Sequence, residues 1–313
     1  MHSVSQKGMA VIMALLVVAL AAAASTLVLW QQGLWWRQLQ QDRDRAEIHI
    51  VVNAGIEWVM AILRFSRMSS PVVYPGQLWA QPLPETSSDG VMVKGELADM
   101  QGRFNLNALG NKDGTRDGLR VRQYMQLLSA LRLPTTLAES LMKVMQLKLA
   151  PTNKADQDKP MVAPSVRWLE RIDELRWVEG YTPEVIAQLT PYIAVLPPGE
   201  NRINVNTAPT LLLKALLPDV NSGRLDALLQ QRVSIFFKDA ADFEAKVRPA
   251  TEHSQIREWV RTDSAWFLLN SEVSKDTMRL VTHALIRIEN GPLGAKLIWR
   301  QDGITRLVPL GES

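Results

Sequence analysis

The chain has 313 residues, 47% of them hydrophobic, which is enough for one large folded domain or two smaller ones. Its 35 basic and 32 acidic side chains give a net charge of only +3, not the positive field that gathers nucleic acid. Cysteine is absent, so disulfides, thiolate metal sites and cysteine nucleophiles are excluded.

An uncharged stretch from Met9 to Trp36 is the most informative part of the chain. As a helix, the segment Met9 to Trp30 spans about 33 Å, which matches the hydrocarbon core of a bilayer. Lys7 precedes the stretch and tryptophans cluster at its far end, as expected for a helix whose N-terminus stays cytoplasmic. We therefore predict a transmembrane helix over residues 9–36.

Two other interpretations of this stretch are a secretory signal peptide and a simple uncleaved anchor. A signal peptide has an apolar region of about 7–15 residues followed by small residues at the cut site. The run Ala21–Ala24 imitates such a site, but the apolar stretch is longer and continues through Trp30.

A short polar leader ends in Gln6-Lys7-Gly8, and the apolar helix begins at once with Met9. This resembles the leader of type IV pilins and pseudopilins, which a prepilin peptidase cuts after the glycine before the new N-terminus is methylated. The resemblance implies that residues 1–8 are removed, that the bond between Gly8 and Met9 is cut, and that Met9 is N-methylated.

Most members of that family have glutamate at the fifth position of the mature chain. This chain has methionine, Met13, at that position. A carboxylate in a low-dielectric helix bundle can pair with the terminal ammonium of a neighbouring subunit. A subunit without it suits the top of a filament, where no subunit sits above. Within the resemblance, this is a feature of the K-type minor pseudopilin of type II secretion.

Beyond the membrane, apolar residues follow one another at spacings of three and four: Val51, Ala54, Trp58, Ile62 and Phe65. This stripe predicts that the helix continues outward and packs on its own domain rather than in a partner's groove. The proline-rich segment 69–90 is predicted to be an irregular connector, and Val91–Asp99 to be a strand.

A helical region follows from Arg116, and the chain becomes rich in strand patterns again from Ala265. The pairs Asn290-Gly291 and Asp302-Gly303 are predicted to be hairpin turns, because both residue types tolerate positive φ. Strands therefore bracket the helices, which predicts an α+β fold with a helical insertion.

Two further segments resemble signatures of the K-type pseudopilin: Gly102-Arg103-Phe104-Asn105-Leu106-Asn107 and Ile203-Asn204-Val205-Asn206-Thr207-Ala208-Pro209. The resemblance covers nearly the whole chain and implies a pilin-like long N-terminal helix packed on an antiparallel sheet, with a large inserted all-helical domain. The implied divisions are the leader at 1–8, the transmembrane helix at 9–36, the pilin-like part at 37–110, the inserted helical domain at 111–263 and the C-terminal strands at 264–313.

The role expected for the signature asparagines is structural, because such side chains satisfy backbone groups where regular structure ends. Asn206 or Thr207 is predicted to cap a helix that starts near Ala208. Direct contact with a partner is the alternative. A helix-hairpin-helix DNA module also fits this region, but Pro218 and Asp219 occupy the hairpin where bare amides would meet phosphates.

No catalytic motif appears in the chain, and its four histidines are isolated in sequence. Members of the family can carry calcium in the helical domain, but lysines dilute the two aspartates of residues 153–160 here, and calcium needs several charged oxygen ligands. We predict no catalytic residue, no metal site and no cofactor.

The resemblance implies a minor pseudopilin of a type II secretion system, in the inner membrane with a cytoplasmic N-terminus and a periplasmic C-terminal domain. It would join the I-type and J-type minor pseudopilins at the tip of the periplasmic pseudopilus and help to initiate its assembly and the export of folded proteins. Its other implied partners are membrane lipid and prepilin peptidase, without nucleic acid. The alternatives are a minor pilin of a type IV pilus or DNA-uptake machine, or a plain membrane-anchored periplasmic protein.

Overall fold

The computed structural model describes residues 5–88, 90–148, 166–247, 256–276, 278–289 and 294–306. The described helices are α1 Ser5–Ser69, α2 Gly118–Ala130, α3 Thr136–Val144, α4 Pro183–Leu189, α5 Thr210–Leu216, α6 Ser222–Gln231, α7 Ala240–Val247 and α8 Ile256–Trp259. Shorter 3-10 turns lie at Leu78–Ala80, Met100–Gly102, Leu106–Leu109 and Ile172–Trp177. The described strands are β1 Leu83–Ser88, β2 Val91–Asp99, β3 Phe104–Asn105, β4 Ile193–Ala194, β5 Ile203–Asn204, β6 Val260–Arg261, β7 Trp266–Lys275, β8 Met278–Ile288 and β9 Ala295–Arg306.

The main sheet has five antiparallel strands in the order β1-β2-β7-β8-β9. Strands β2 and β7 are neighbours although a long segment separates them, and Asp99 is paired with Phe267. The intervening chain therefore leaves and re-enters the sheet at adjacent positions. This confirms the predicted α+β fold with an insertion.

Helix α1 packs on one face of this sheet through apolar residues at helical spacing: Ile48, Val52, Ile56, Val59 and Leu63. The helix therefore continues outward and packs on its own domain, as predicted. The centre of the buried stripe is one position out of register with the predicted one, of which Val51 and Ile62 are half-buried against this core. Trp58 and Phe65, which belong to the predicted stripe, remain 50% and 64% exposed. Towards its N-terminus, α1 is apolar, exposed and, by length and composition, able to cross a membrane.

Two local predictions outside the helices also differ from the structure. The segment 69–90 is not wholly irregular, because β1 forms there and pairs with β2. Asp302-Gly303 lies inside β9 and not in a turn. The Asp302 carboxylate accepts hydrogen bonds from Thr282 on the adjacent strand and from Arg300, each at 2.8 Å, which stabilises the extended chain. Asn290-Gly291 falls outside the described residues.

The helical region has its own apolar core, separate from the one beneath α1. It also contains two short parallel strand pairs, β3 with β4 and β5 with β6, and so is not purely helical. Phe104 and Leu106, from the first signature, and Leu109, two residues after it, are buried in this core.

Candidate functional site

The predicted leader and processing residues lie on the N-terminal part of α1. The helix runs without a break through Gly8 and Met9. Met9 and Met13 are 59% and 66% exposed, so they contribute to an apolar surface that has no partner within the described part of the chain.

In the first signature, the buried side chains of Asn105 and Asn107 form hydrogen bonds with residues that are distant in sequence. The Asn105 side-chain oxygen accepts hydrogen bonds from the backbone N–H of Asn107 at 3.1 Å and of Leu196 at 3.0 Å. The Asn107 side chain accepts from the N–H of Leu169 at 2.9 Å and donates to its carbonyl oxygen at 2.8 Å. A second bond from Asn107 reaches the Leu196 carbonyl oxygen at 2.8 Å.

The second signature repeats this arrangement. The Asn204 side-chain oxygen accepts from the Asn206 N–H at 3.0 Å. The Asn206 side chain accepts from the N–H of Phe237 at 2.8 Å and donates to its carbonyl oxygen at 2.9 Å. Asn204 and Asn206 are both fully buried.

Both signatures therefore have the same arrangement of hydrogen bonds. An asparagine ends a short parallel-paired strand, and a second asparagine two positions later satisfies both backbone groups of one distant residue. Such pairing removes the free-energy penalty of burying unsatisfied N–H and C=O groups. The structural role predicted for these residues fits this geometry. The predicted helix cap does not, because α5 begins at Thr210 without a side-chain cap, and the polar atoms of Asn206 and Thr207 bond elsewhere.

The two signatures meet directly at Gly102. A Cβ atom on Gly102 would lie 2.6 Å from the Thr207 Oγ1 atom and 3.0 Å from the Thr207 carbonyl carbon. Only glycine permits this approach of the two backbones. The Thr207 hydroxyl donates to Asp99 Oδ2 at 2.6 Å.

Asp99 is the centre of this contact, which we call the junction and define as Asp99, Gly102, Asn204, Thr207 and Ser264. Asp99 Oδ2 accepts from the Ser264 hydroxyl at 2.6 Å and from Asn204 Nδ2 at 3.0 Å, as well as from Thr207. Its Oδ1 accepts from the backbone N–H of Gln101 at 2.9 Å. Burial raises the pKa of the Asp99 carboxyl, and these four donors oppose the rise.

Sequence reasoning missed Asp99, although a signal was present. Along β2 the inward positions alternate, and Asp99 falls in phase with Val91, Val93 and Leu97. A carboxylate at an inward position of a strand must be paired to be tolerated. The alternation therefore marks Asp99 as a residue that needs partners from elsewhere in the fold.

The other signature side chains reinforce the same region. Arg103 donates to the Thr190 carbonyl oxygen at 3.1 Å, and burial lowers the pKa of its guanidinium. The Phe104 ring stacks on Tyr124 with centroids 5.5 Å apart. Gln101, also missed from the sequence, donates to Glu200 at 2.8 Å and accepts from the N–H of Ala265 at 2.6 Å.

The junction joins the end of β2, the start of β7 and the second signature through short hydrogen bonds. This arrangement can fix the orientation of the helical region on the sheet. Among the described residues, no group of three or more histidine, aspartate and glutamate side chains is placed to hold a metal ion. The geometry is that of a mechanical connection.

Comparison with known proteins gives two matches to family models, both described as type II secretion system protein K. They cover residues 102–198 and 203–258, and so begin at the first residues of the two signatures. Type II secretion system protein K of Pseudomonas aeruginosa is 27% identical over 261 residues, covering 76% of each chain. The protein K of Pectobacterium carotovorum is 23% identical, covering 86% of this chain and 88% of its own length.

The fold has a solved counterpart in the GspK–GspI–GspJ complex of the type 2 secretion system of enterotoxigenic Escherichia coli. The match has a TM-score of 0.69 at 24% identity and covers 85% of this chain and 99% of that one. The two family models begin at the two signatures, and the relatives match most of the chain. Both comparisons give the same assignment. The chain belongs to the type II secretion system protein K family.

Proposed function

We propose that this chain is the minor pseudopilin at the tip of a periplasmic pseudopilus, where it helps to initiate assembly and the export of folded proteins. Its proposed partners are an I-type and a J-type minor pseudopilin, because the solved fold counterpart is a complex of GspK with GspI and GspJ. The family assignment favours this function over a pilus or DNA-uptake role.

The chain is anchored in a membrane by a single N-terminal apolar helix. The proposed topology places that helix in the inner membrane, with the N-terminus cytoplasmic and the rest periplasmic. Lys7 before the apolar stretch and the tryptophans after it support this direction. Residues 1–8 are proposed to be cut off by prepilin peptidase after Gly8, and Met9 to be methylated.

The proposed organisation keeps residues 9–36 as the membrane helix, 37–110 and 264–313 as the pilin-like part and 111–263 as the inserted helical domain. The antiparallel pairing of β2 with β7 supports the insertion. Phe104 and Leu109 are buried in the helical core, which supports packing of the end of the first part on the proposed insertion.

Met13 is the observation that carries the position at the tip. In a subunit with another subunit above it, a carboxylate at the fifth mature position can pair with the terminal ammonium group of that neighbouring subunit. At the tip no such group is present, and an unpaired carboxylate in the bilayer would cost about 3 kcal/mol. A methionine avoids this cost. The wide helical region agrees with the same position, because it would obstruct a subunit stacked above.

The proposed role is structural, without catalysis, cofactor or nucleic-acid binding. The signature residues support this, since Asn105, Asn107, Asn204, Asn206 and Thr207 use their polar groups within the protein. Because these polar groups already form hydrogen bonds within the protein, the proposed role of the signatures is to stabilise the fold and not to bind a ligand.

The first test is the intact mass and N-terminal sequence of the full chain extracted from membranes, with and without prepilin peptidase. We expect a methylated Met9 start that depends on the peptidase. A retained Met1, or a cut beyond Ala24, would overturn the pseudopilin mechanism.

A second test replaces Met13 by glutamate, with Met13→Leu as the apolar control. We expect Met13→Glu to lower export of secreted proteins and Met13→Leu to preserve it. Equal export by both variants would remove the argument for the tip.

A further inference from the structure

A polar cleft lies where the last turn of α1, the end of β8 and the chain that returns from the helical region meet. Its volume is about 400 Å³, within the range of about 300–1,000 Å³ that is usual for small-molecule sites. The polar side chains that line it are Arg67, Arg261, Asp263, Ser264, Arg287 and Glu289. Three guanidinium groups, each from a different element, therefore face one cavity.

The first of these groups, on Arg261, is already matched by carboxylates. Arg261 donates two hydrogen bonds to Asp263, from Nε to Oδ1 at 3.0 Å and from Nη2 to Oδ2 at 2.7 Å. Its Nη1 atom also lies 3.5 Å from Glu200 Oε2. Burial opposes ionisation of Asp263, but Arg261 and, more weakly, Arg67 lower the pKa of this carboxyl. Arg67 therefore acts electrostatically on the same pair.

The other two guanidinium groups have longer contacts within the described part of the chain. Arg67 donates to the Pro71 carbonyl oxygen at 3.4 Å, and Arg287 lies 4.0 Å from Glu289. Both distances exceed the length of about 2.7–2.9 Å that is typical of a charge-assisted hydrogen bond between nitrogen and oxygen. Since a guanidinium has five N–H donors, both groups keep donors for a ligand.

Arg287 is held in position by an aromatic ring. Its guanidinium carbon lies 5.1 Å from the centroid of the Trp266 ring, within the range of a cation–π interaction. Trp266 is itself buried, in a cluster with Leu285 and Met100. A guanidinium that is fixed in this way loses less conformational entropy when its planar fork binds a carboxylate.

Charge and volume together indicate the kind of ligand. The lining has three arginines against Asp263 and Glu289, an excess of one positive charge. That excess balances one carboxylate but not a doubly charged phosphate. A carboxylate group alone would leave most of the cleft unfilled, so the group should be part of a larger organic molecule.

We propose that this cleft binds an organic carboxylate of about dipeptide size, with Arg67 and Arg287 donating hydrogen bonds to its oxygens. Two sources share this chemistry: the terminal carboxylate of a free small molecule, and the acidic side chain of another protein. The site does not depend on the proposed function and goes beyond it. A ligand held by α1, β8 and the returning chain would brace the helical region against the sheet.

Isothermal titration calorimetry of the detergent-extracted full chain, at constant ionic strength, tests the site with three matched probes. Acetyl-Ala-Ala has a terminal carboxylate, and the capped peptide acetyl-Ala-Glu-Ala-amide has a side-chain carboxylate. Acetyl-Ala-Gln-Ala-amide is the uncharged control. We expect a carboxylate probe to bind at least tenfold more tightly than the uncharged peptide, and the tighter of the two identifies the source. If neither carboxylate probe binds, or the uncharged peptide binds equally well, the proposal is overturned.

Substitutions of the two arginines test whether the probe binds in this cleft. Arg67→Gln and Arg287→Gln should each weaken binding of the tighter probe about 10- to 100-fold, because each removes charge-assisted hydrogen bonds. Arg176→Gln is the matched control and should bind as the native chain does. Arg176 also donates to a carbonyl oxygen, that of Asp173 at 3.0 Å, but it lies outside the cleft.

Urea unfolding without the probe separates loss of binding from loss of folding. We expect both glutamine variants to unfold at the native midpoint, and the tighter probe to raise the midpoint of the native chain alone. Arg287→Lys covers the case in which a glutamine variant is unstable, since it keeps the positive charge but loses the planar fork, and it should lose part of the affinity. Undiminished binding by the glutamine and lysine variants would refute the site.

Discussion

Asn206→Ala should be among the most destabilising single substitutions in the helical region. Its side chain satisfies both the N–H and the C=O of Phe237, at 2.8 and 2.9 Å, and is fully buried. Alanine would leave both backbone groups unsatisfied, at about 1–3 kcal/mol each, so the expected loss is about 2–6 kcal/mol. Folded domains have a total stability of only about 5–15 kcal/mol, so this loss is a large part of it.

The assay is pulse proteolysis in urea of the detergent-extracted full chain. With an m-value of about 3 kcal/mol/M, the urea midpoint should fall by about 0.7–2 M. Asn270→Ala is the matched control, because Asn270 bonds to Glu96 and His283 on the exposed face of the sheet. Its expected change is within about 0.5 kcal/mol. If Asn206→Ala lowers the midpoint no more than Asn270→Ala, the second signature does not stabilise the fold in the way argued above.

Two further predictions concern the junction and its surroundings. Gly102→Ala should lower the free energy of unfolding by about 1–3 kcal/mol, because the new Cβ would press on the Thr207 backbone. Gly118→Ala is the control, since the nearest atom to its new Cβ is 3.8 Å away, and it should be neutral or stabilising in the same urea assay. The pKa of Asp263 is lowered, because its bond and attraction to Arg261 outweigh the opposing effect of burial. A lowered carboxyl pKa gives stability that is present above the unfolded value of 3.8 and lost as the pH falls through the folded value. The stability difference between the native chain and Asp263→Asn should therefore be constant from pH 7 to 5 and shrink as the pH falls below 3.8. A difference that is as large at pH 3 as at pH 5 would contradict this assignment.

Local patterns in the sequence were sufficient for several features. The apolar length of α1 and the alternation of Val91–Asp99 each depend on neighbouring residues, and both elements appear where they were predicted. The change from helix to strand patterns also indicated the insertion that the pairing of β2 with β7 confirms.

Predictions that required a choice between similar local patterns were less successful. Helix α1 has two apolar stripes one residue apart, and the sequence does not say which one meets the sheet. Asp302-Gly303 has the composition of a turn, but Thr282 on the neighbouring strand stabilises it as extended chain. In both cases the deciding partner is distant in sequence.

The sequence by itself determined the membrane helix, the helical region between two strand-rich parts and the presence of the two paired-asparagine signatures, because each follows from short-range spacing and side-chain chemistry. Only the tertiary structure decided what the signatures do. The partners of Asn107 and Asn206 are Leu169 and Phe237, 62 and 31 residues away, and Asp99 reaches Ser264 across 165 residues. Such pairs form because buried polar groups must find partners wherever the fold brings them together, and no local pattern records that meeting.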